Sequence, residues 1–191
     1  VSKTSFQIDE AALNAAITEK TKAIIINSPC NPTGTVFNEE SLRIVKKCVL
    51  GKPVFVICDA VYNQLVYTGC PDISLDPDLK EQMILCQSFS KPYAMTGWRL
   101  GYALGPAPII EQMTKLHQYG IMSAPTTAQY AAIEALKNGD RDVRHMRDEY
   151  DMRRRLVVDS FNDMGLHCFE PLGAFYVFPC IQSTGLTSEE F

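Results

Sequence analysis

The sequence predicts an α/β fold built on a mainly parallel sheet with one antiparallel strand. Short apolar runs at Ala23-Ile24-Ile25-Ile26, Val54-Phe55-Val56-Ile57 and Met83-Ile84-Leu85-Cys86 read as buried strands. Helical periodicity fills the stretch between the first two runs, as a parallel crossover requires. Each run is followed by residues with chemistry to offer: the loop that carries Asn31, the carboxylate Asp59 and the Ser88-Phe89-Ser90-Lys91 stretch. Strands that are apolar without alternation are covered on both faces, and in such sheets ligands bind at the strand ends.

Ile8 and Leu13 on either side of Asp9 form a hydrophobic staple around an N-cap, which opens a short helix to about residue 17. A strand follows over 22–27. Asn38 caps a second helix, with Glu39 and Glu40 in its first turn and Leu42, Val45 and Val49 on one face, until Gly51 and Pro53 end it. The next strand, over 54–59, completes a βαβ unit. Further strands are expected over 83–87 and 100–104. About a dozen residues join these two, too few for a helical crossover, so the last strand runs antiparallel.

Helices are then expected over 107–119, 126–137 and 141–164. The last carries Val143, Met146, Tyr150, Val157, Phe161 and Met164 at helical spacing. Residues of these types at that spacing are read as packing.

Composition is that of an ordinary globular protein: 191 residues, 46% hydrophobic and 21% charged. A net charge of −4 gives no basic surface for nucleic acid, and Arg153-Arg154-Arg155 reads as the solvated face of a helix. No apolar stretch reaches the roughly 20 residues that span a bilayer, so no membrane partner is expected. The seven cysteines form no Cys-x-x-Cys pair, and Cys48, Cys58 and Cys86 sit in apolar surroundings. They are expected to be small buried hydrophobes in a reducing, cytoplasmic compartment. His117, His145 and His167 are too scattered to predict a metal site.

The chemistry concentrates in three places. Ser88-Phe89-Ser90-Lys91, followed by Arg99, sets two hydroxyls, an amine and a guanidinium at a strand end, which suits a phosphate held beside a reactive amine. Asn27-Ser28-Pro29-Cys30-Asn31-Pro32-Thr33-Gly34 is a loop stiffened by two prolines. Asp59 ends an apolar run, with Tyr62 one turn on, and a carboxylate so placed is aimed at a cation or a donor. Taken singly, each has a bland alternative: a solvated lysine, a turn, a helix cap.

Together and in this order, Asn31-Pro32-Thr33-Gly34, Asp59-x-x-Tyr62 and Ser88-x-Ser90-Lys91 with Arg99-x-Gly101 resemble the pyridoxal-phosphate-dependent aminotransferases of class I and II, of fold type I. Pro171-Leu172-Gly173-Ala174-Phe175-Tyr176 resembles the glycine-centred strand that opens that family's small domain. The resemblance implies a three-layer large domain with a mainly parallel sheet, covering 1–143. A bridging helix and the beginning of a smaller α+β domain are implied over 144–191.

For the site, the resemblance implies pyridoxal 5'-phosphate as cofactor and Lys91 as the catalytic residue that carries its aldehyde and later moves the α-proton. Asp59 would face the ring nitrogen. Asn31 and Tyr62 would donate to the phenolate oxygen, and Ser88, Ser90 and Arg99 would hold the phosphate. In the family, the bond before the proline of the Asn-Pro loop is cis, so Asn31-Pro32 is expected to be cis.

The implied reaction exchanges an amino group between an L-amino acid and a 2-oxo acid, with the 91–102 run most like the aspartate and aromatic enzymes. A homodimer is implied. Related enzymes that eliminate sulfur from amino acids or form cyclopropanes share Asp59, Tyr62 and Lys91 equivalents and stay open as alternatives. So does a ligand-sensing domain of a transcription regulator, although such domains usually read His-Gln where this chain has Cys30-Asn31.

Thr187-Ser188-Glu189-Glu190 has the form of a capping box, and an outgoing helix is expected after it. By the resemblance, a glycine-containing phosphate loop and a ring-stacking aromatic would precede Val1. An arginine for the substrate carboxylate would follow Phe191.

Overall fold

The computed structural model describes residues 5–69 and 71–191. Four strands, β1 (Ala23–Asn27), β2 (Phe55–Asp59), β3 (Met83–Ser88) and β4 (Gly101–Leu104), form one sheet in the order β1-β2-β3-β4. The pairs β1·β2 and β2·β3 are parallel and β3·β4 is antiparallel, as the short connection requires. Register brings the polar strand ends level, with Asn27 opposite Asp59 and Asp59 opposite Cys86.

Two helices, α1 (Glu10–Ala16) and α2 (Glu39–Val49), pack on one face. Asp9 accepts a hydrogen bond from the Ala12 N–H at 2.7 Å, and Asn38 accepts one from the Ser41 N–H at 2.8 Å, so both expected N-caps form. Leu42, Ile44, Val45, Cys48 and Val49 of α2 meet Ile26, Val56, Cys58 and Met83 of the strands, with Ile8, Leu13 and Ile17 closing the cluster. Strand side chains alternate between faces. Ile26 is therefore in the core, whereas its neighbour Ile25 is 73% exposed.

Beyond β4 come α3 (Ala107–Gly120), α4 (Thr126–Asn138) and α5 (Asp140–Asp163). Helix α5 runs unbroken through position 144. Short 3-10 turns at Ile73–Leu75, Pro77–Gln82, Thr96–Trp98 and Gln182–Thr184 have no periodicity that sequence reading detects. No helix among the described residues is long and apolar enough to cross a membrane.

Cys48, Cys58 and Cys168 are buried free thiols, and burial pushes Cys58 up to about 12, which keeps it neutral and inert. Cys180, by contrast, is exposed, and Cys70 lies outside the described residues.

The segment after α5 differs from the expected strand. It makes single bridges, Val66 with Gly173 and Cys168 with Pro179. Ala174 sits at a left-handed φ of 58°, which breaks the extended run after one residue pair. The segment is nevertheless firmly seated. The Leu172 and Gly173 N–H groups both donate to the Gly34 carbonyl at 3.1 Å, and the Ala174 N–H donates to the Leu65 carbonyl at 2.8 Å.

Two glycines make this approach possible. Gly34 has φ +73°, and a Cβ built there would lie 2.4 Å from the Pro171 Cβ; one at Gly173 would lie 2.7 Å from two Pro29 side-chain atoms. Arg154 of α5 adds a strut. It is almost fully buried, paired with Asp151 and with Glu170 at 2.7 Å, and stacked 4.9 Å from the centre of the Tyr67 ring.

Half of the expected capping box forms at 187–190. The Thr187 N–H donates to the Glu190 carboxylate at 2.9 Å, but the Thr187 hydroxyl donates to that carboxylate at 2.8 Å instead of accepting from the Glu190 N–H. The charged acceptor is the stronger partner for the hydroxyl.

Candidate active site

Three segments leave the same ends of three adjacent parallel strands. The loop to Asn31 follows β1, Asp59 closes β2, and Ser90 and Lys91 follow β3. Asn27, not singled out from sequence, ties the first two together. Its side-chain amide donates to the Asp59 carbonyl at 3.2 Å, and its side-chain oxygen accepts from the Asn31 N–H at 2.7 Å. The available signal was its position at the end of the 23–26 apolar run, level with Asp59. Both Ser28-Pro29 and Asn31-Pro32 are cis; the second was expected.

Asp59 is half-buried, and among the described residues its carboxylate makes one long hydrogen bond, 3.5 Å from the Val61 N–H. Lys91 Nζ lies 5.7 Å from the centre of the Tyr62 ring and 5.5 Å from that of Phe175. Among the described residues it has neither an ion pair nor a hydrogen bond, so the amine is uncommitted.

Tyr62 is 3% exposed. Burial and the bond to Tyr176 push its hydroxyl well above the usual phenol range, outweighing the opposite pull of the Asn31 amide. The Tyr176 hydroxyl is 2.6 Å away. Phe175 stands edge-on to Tyr62 with ring centres 5.4 Å apart. Sequence reading noted this segment for its glycine and did not give Phe175 or Tyr176 a place in the site.

Ser88 and Ser90 are brought together, the Ser88 hydroxyl accepting from the Ser90 N–H at 3.0 Å. Ser88 also lies 3.4 Å from the Leu100 carbonyl, beside Arg99 in the chain. Arg99 has a left-handed φ of 54° at the end of the Thr96–Trp98 turn, an uncommon conformation for a residue with a side chain. Its guanidinium is exposed and donates to the Thr96 carbonyl at 2.9 Å, with no carboxylate partner among the described residues.

A mainly parallel sheet with an amine, a carboxylate, two hydroxyls and a guanidinium at its strand ends is an α/β arrangement whose chemistry suits an anionic small molecule there. The chain belongs to the aminotransferases of class I and II, whose family profile matches residues 1–191. That family depends on pyridoxal phosphate.

It is 44% identical over 190 residues to an aspartate aminotransferase of Pyrococcus abyssi, covering 97% of this chain and 49% of that one. It is 39% identical over 190 residues to aromatic-amino-acid aminotransferase 2 of Thermococcus litoralis, with the same coverage of each. A crystal structure of an aromatic aminotransferase from Pyrococcus horikoshii superimposes with a TM-score of 0.92 at 44% identity, over 98% of this chain and 51% of that chain. The chain thus spans about half the length of the curated relatives it matches.

Proposed function

We propose that the protein transfers an amino group between an L-amino acid and a 2-oxo acid, of the aspartate or aromatic amino acid type, using pyridoxal 5'-phosphate. The observation that carries this reading is the convergence of Asn31, Asp59 and Lys91 at the ends of β1, β2 and β3. The names of the relatives support the substrate class. The reading includes a cofactor-binding part over 1–143, a bridging helix with the start of a smaller domain over 144–191, a homodimer, and a cytoplasmic location.

The residues fit the cofactor because their chemistry is complementary to it and largely uncommitted. Lys91 offers a free amine, Asp59 a carboxylate with one weak contact, and Arg99 a guanidinium without a carboxylate partner among the described residues. Bound pyridoxal phosphate supplies an electron sink that stabilises charge at the amino acid's α-carbon. Asp59, whose carboxylate has one long hydrogen bond among the described residues, would face the ring nitrogen and hold a proton there through charge pairing. The Asn31 amide and the Tyr62 hydroxyl would donate to the phenolate oxygen. The Ser88 and Ser90 hydroxyls and the Arg99 guanidinium would hold the phosphate through charge-assisted hydrogen bonds. Lys91 Nζ would be the point of covalent attachment and would serve as the general base that takes the α-proton.

Borohydride reduction of the full-length protein loaded with cofactor, followed by peptide mapping, tests the reading. The label is expected on Lys91. A label on another lysine, with Lys91 unmodified, overturns it.

A further inference from the structure

Tyr62 has two hydroxyl partners in addition to the cofactor oxygen assigned to it above. The Asn31 side-chain amide pulls on its oxygen from one side, and the Tyr176 hydroxyl lies 2.6 Å away. A phenol oxygen accepts two hydrogen bonds and donates one. It can therefore accept from Asn31 and Tyr176 together while its own hydrogen goes elsewhere. In the absence of another acceptor, Tyr62 is free to donate to Tyr176. An anionic oxygen is a stronger acceptor than a neutral phenol, by about twofold, so its arrival reverses the pair.

We propose that Tyr176 is a positioning residue for the reaction: its hydroxyl donates to Tyr62 and so aims and strengthens the Tyr62 hydrogen bond to the phenolate oxygen of the cofactor. This rests on the reading of Tyr62 as a cofactor-facing donor.

The packing around the pair supports a fixed geometry. The Tyr62 and Tyr176 rings meet at 77°, with centres 5.7 Å apart, and Phe175 covers the other approach. A Cβ on Gly34 would lie 2.9 Å from the Tyr176 carbonyl, so the backbone of Tyr176 rests directly on the loop that carries Asn31. One packed unit therefore sets both partners of the Tyr62 oxygen. The other ionisable groups facing Tyr62 are Lys91, 5.7 Å from its ring centre, and Asp59, while Tyr150 packs against the same cluster. Chained hydrogen bonds polarise one another, so a donor to Tyr62 makes Tyr62 a better donor in turn.

The test is the pH midpoint of the visible-absorbance titration of the lysine-linked cofactor in the full-length holoenzyme. Weaker donation to the phenolate oxygen moves this midpoint to higher pH, because the anionic form of the cofactor loses support. Tyr62→Phe is expected to raise it. Tyr176→Phe is expected to raise it by less, about half a unit to one unit, as one neutral hydrogen bond allows. In a Tyr62→Phe background, Tyr176→Phe should add nothing, because the effect passes through Tyr62.

Tyr176→Leu, which removes the hydroxyl with a different shape, should repeat the shift and serves if the phenylalanine variant does not fold. A Tyr176 variant with the wild-type midpoint, or one whose shift persists undiminished without the Tyr62 hydroxyl, overturns the inference alone. An unmoved midpoint in Tyr62→Phe overturns the inference together with the placement of Tyr62 against the cofactor.

Discussion

At the scale of single residues, the site separates groups that hold the protein together from groups that stand ready for a ligand. Asp59 belongs to the second kind, since the one hydrogen bond of its carboxylate among the described residues, with the Val61 N–H at 3.5 Å, is too long to contribute much to folding. Asp59→Ala should therefore cut the transamination rate by about 100-fold or more, the range seen when a preorganised charge is removed from a site. It should leave the melting temperature nearly unchanged. Asn31→Ala and Tyr62→Phe should each cost roughly tenfold, because each removes one neutral hydrogen bond. Steady-state kinetics with parallel melts checks the ranking; an Asp59→Ala variant that turns over normally removes Asp59 from the ring nitrogen. The strand-end residues were legible because apolar runs announce where strands stop. Tyr176 was not, because its partner is 114 positions away and nothing local in Phe175-Tyr176 marks a hydroxyl contact over that distance.

At the scale of elements, the 171–176 segment is fixed by close backbone approach and by a buried cation, and each makes a prediction. Gly34→Ala forces a Cβ into a left-handed conformation, at about 1–2 kcal/mol, and into the Pro171 side chain, where overpacking costs about 1–3 kcal/mol. Denaturant unfolding should show a loss of about 3 kcal/mol, and hydrogen exchange should rise first over 171–176; a loss under about 0.5 kcal/mol, the scale of an ordinary surface change, contradicts the packing.

Asp151 makes the second. Burial would raise its pKa, but the pairs with Arg154 and Arg155 prevail and hold it below its usual 3.8. A depressed carboxylate contributes stability that is fully present above 3.8 and is lost as pH falls through its folded value. Asp151→Asn should thus be less stable than the parent at pH 6, and the gap should close in acid. A gap that stays constant down to pH 2 would mean that the ion pairs contribute nothing. The helices and strands themselves were legible from capping residues and period, since N-caps at Asp9 and Asn38 satisfy orphan N–H groups wherever the helix lies. The 3-10 turns and the bridge at Gly173 were not, because tertiary contacts, such as the seat on the Gly34 carbonyl, decide them.

At the scale of the whole molecule, the surface is uneven in a way that composition conceals. The mean is that of a globular protein, yet α3 and the turn after it present Leu116, Tyr119, Ile121 and Met122 to solvent, with Tyr119 94% exposed. Tyr130, Ile133 and Leu136 of α4 are exposed as well. Among the described residues, β1 and β4 are sheet edges, and Ile25 and Leu104 on those strands are also exposed. Monomeric proteins rarely leave contiguous apolar surface of this kind uncovered, and bare strand edges are templates for further pairing. The 191-residue chain prepared by itself should therefore self-associate: its sedimentation coefficient should rise with concentration, and Leu116→Glu with Tyr119→Lys should weaken that rise without lowering stability, since neither side chain is in the core. A chain that sediments as a monomer at every concentration would show that this face is tolerated as solvent-facing surface. The contrast with the other end of the molecule is physical. The face of the sheet under α1 and α2 closes on side chains that sequence periodicity already matched to one another, whereas the faces of α3 and α4 that carry Leu116, Tyr119, Tyr130 and Ile133 are apolar and exposed, although α4 packs its other side, through Ala132, against Phe89 and Met95; helical periodicity alone does not say what an apolar face will meet.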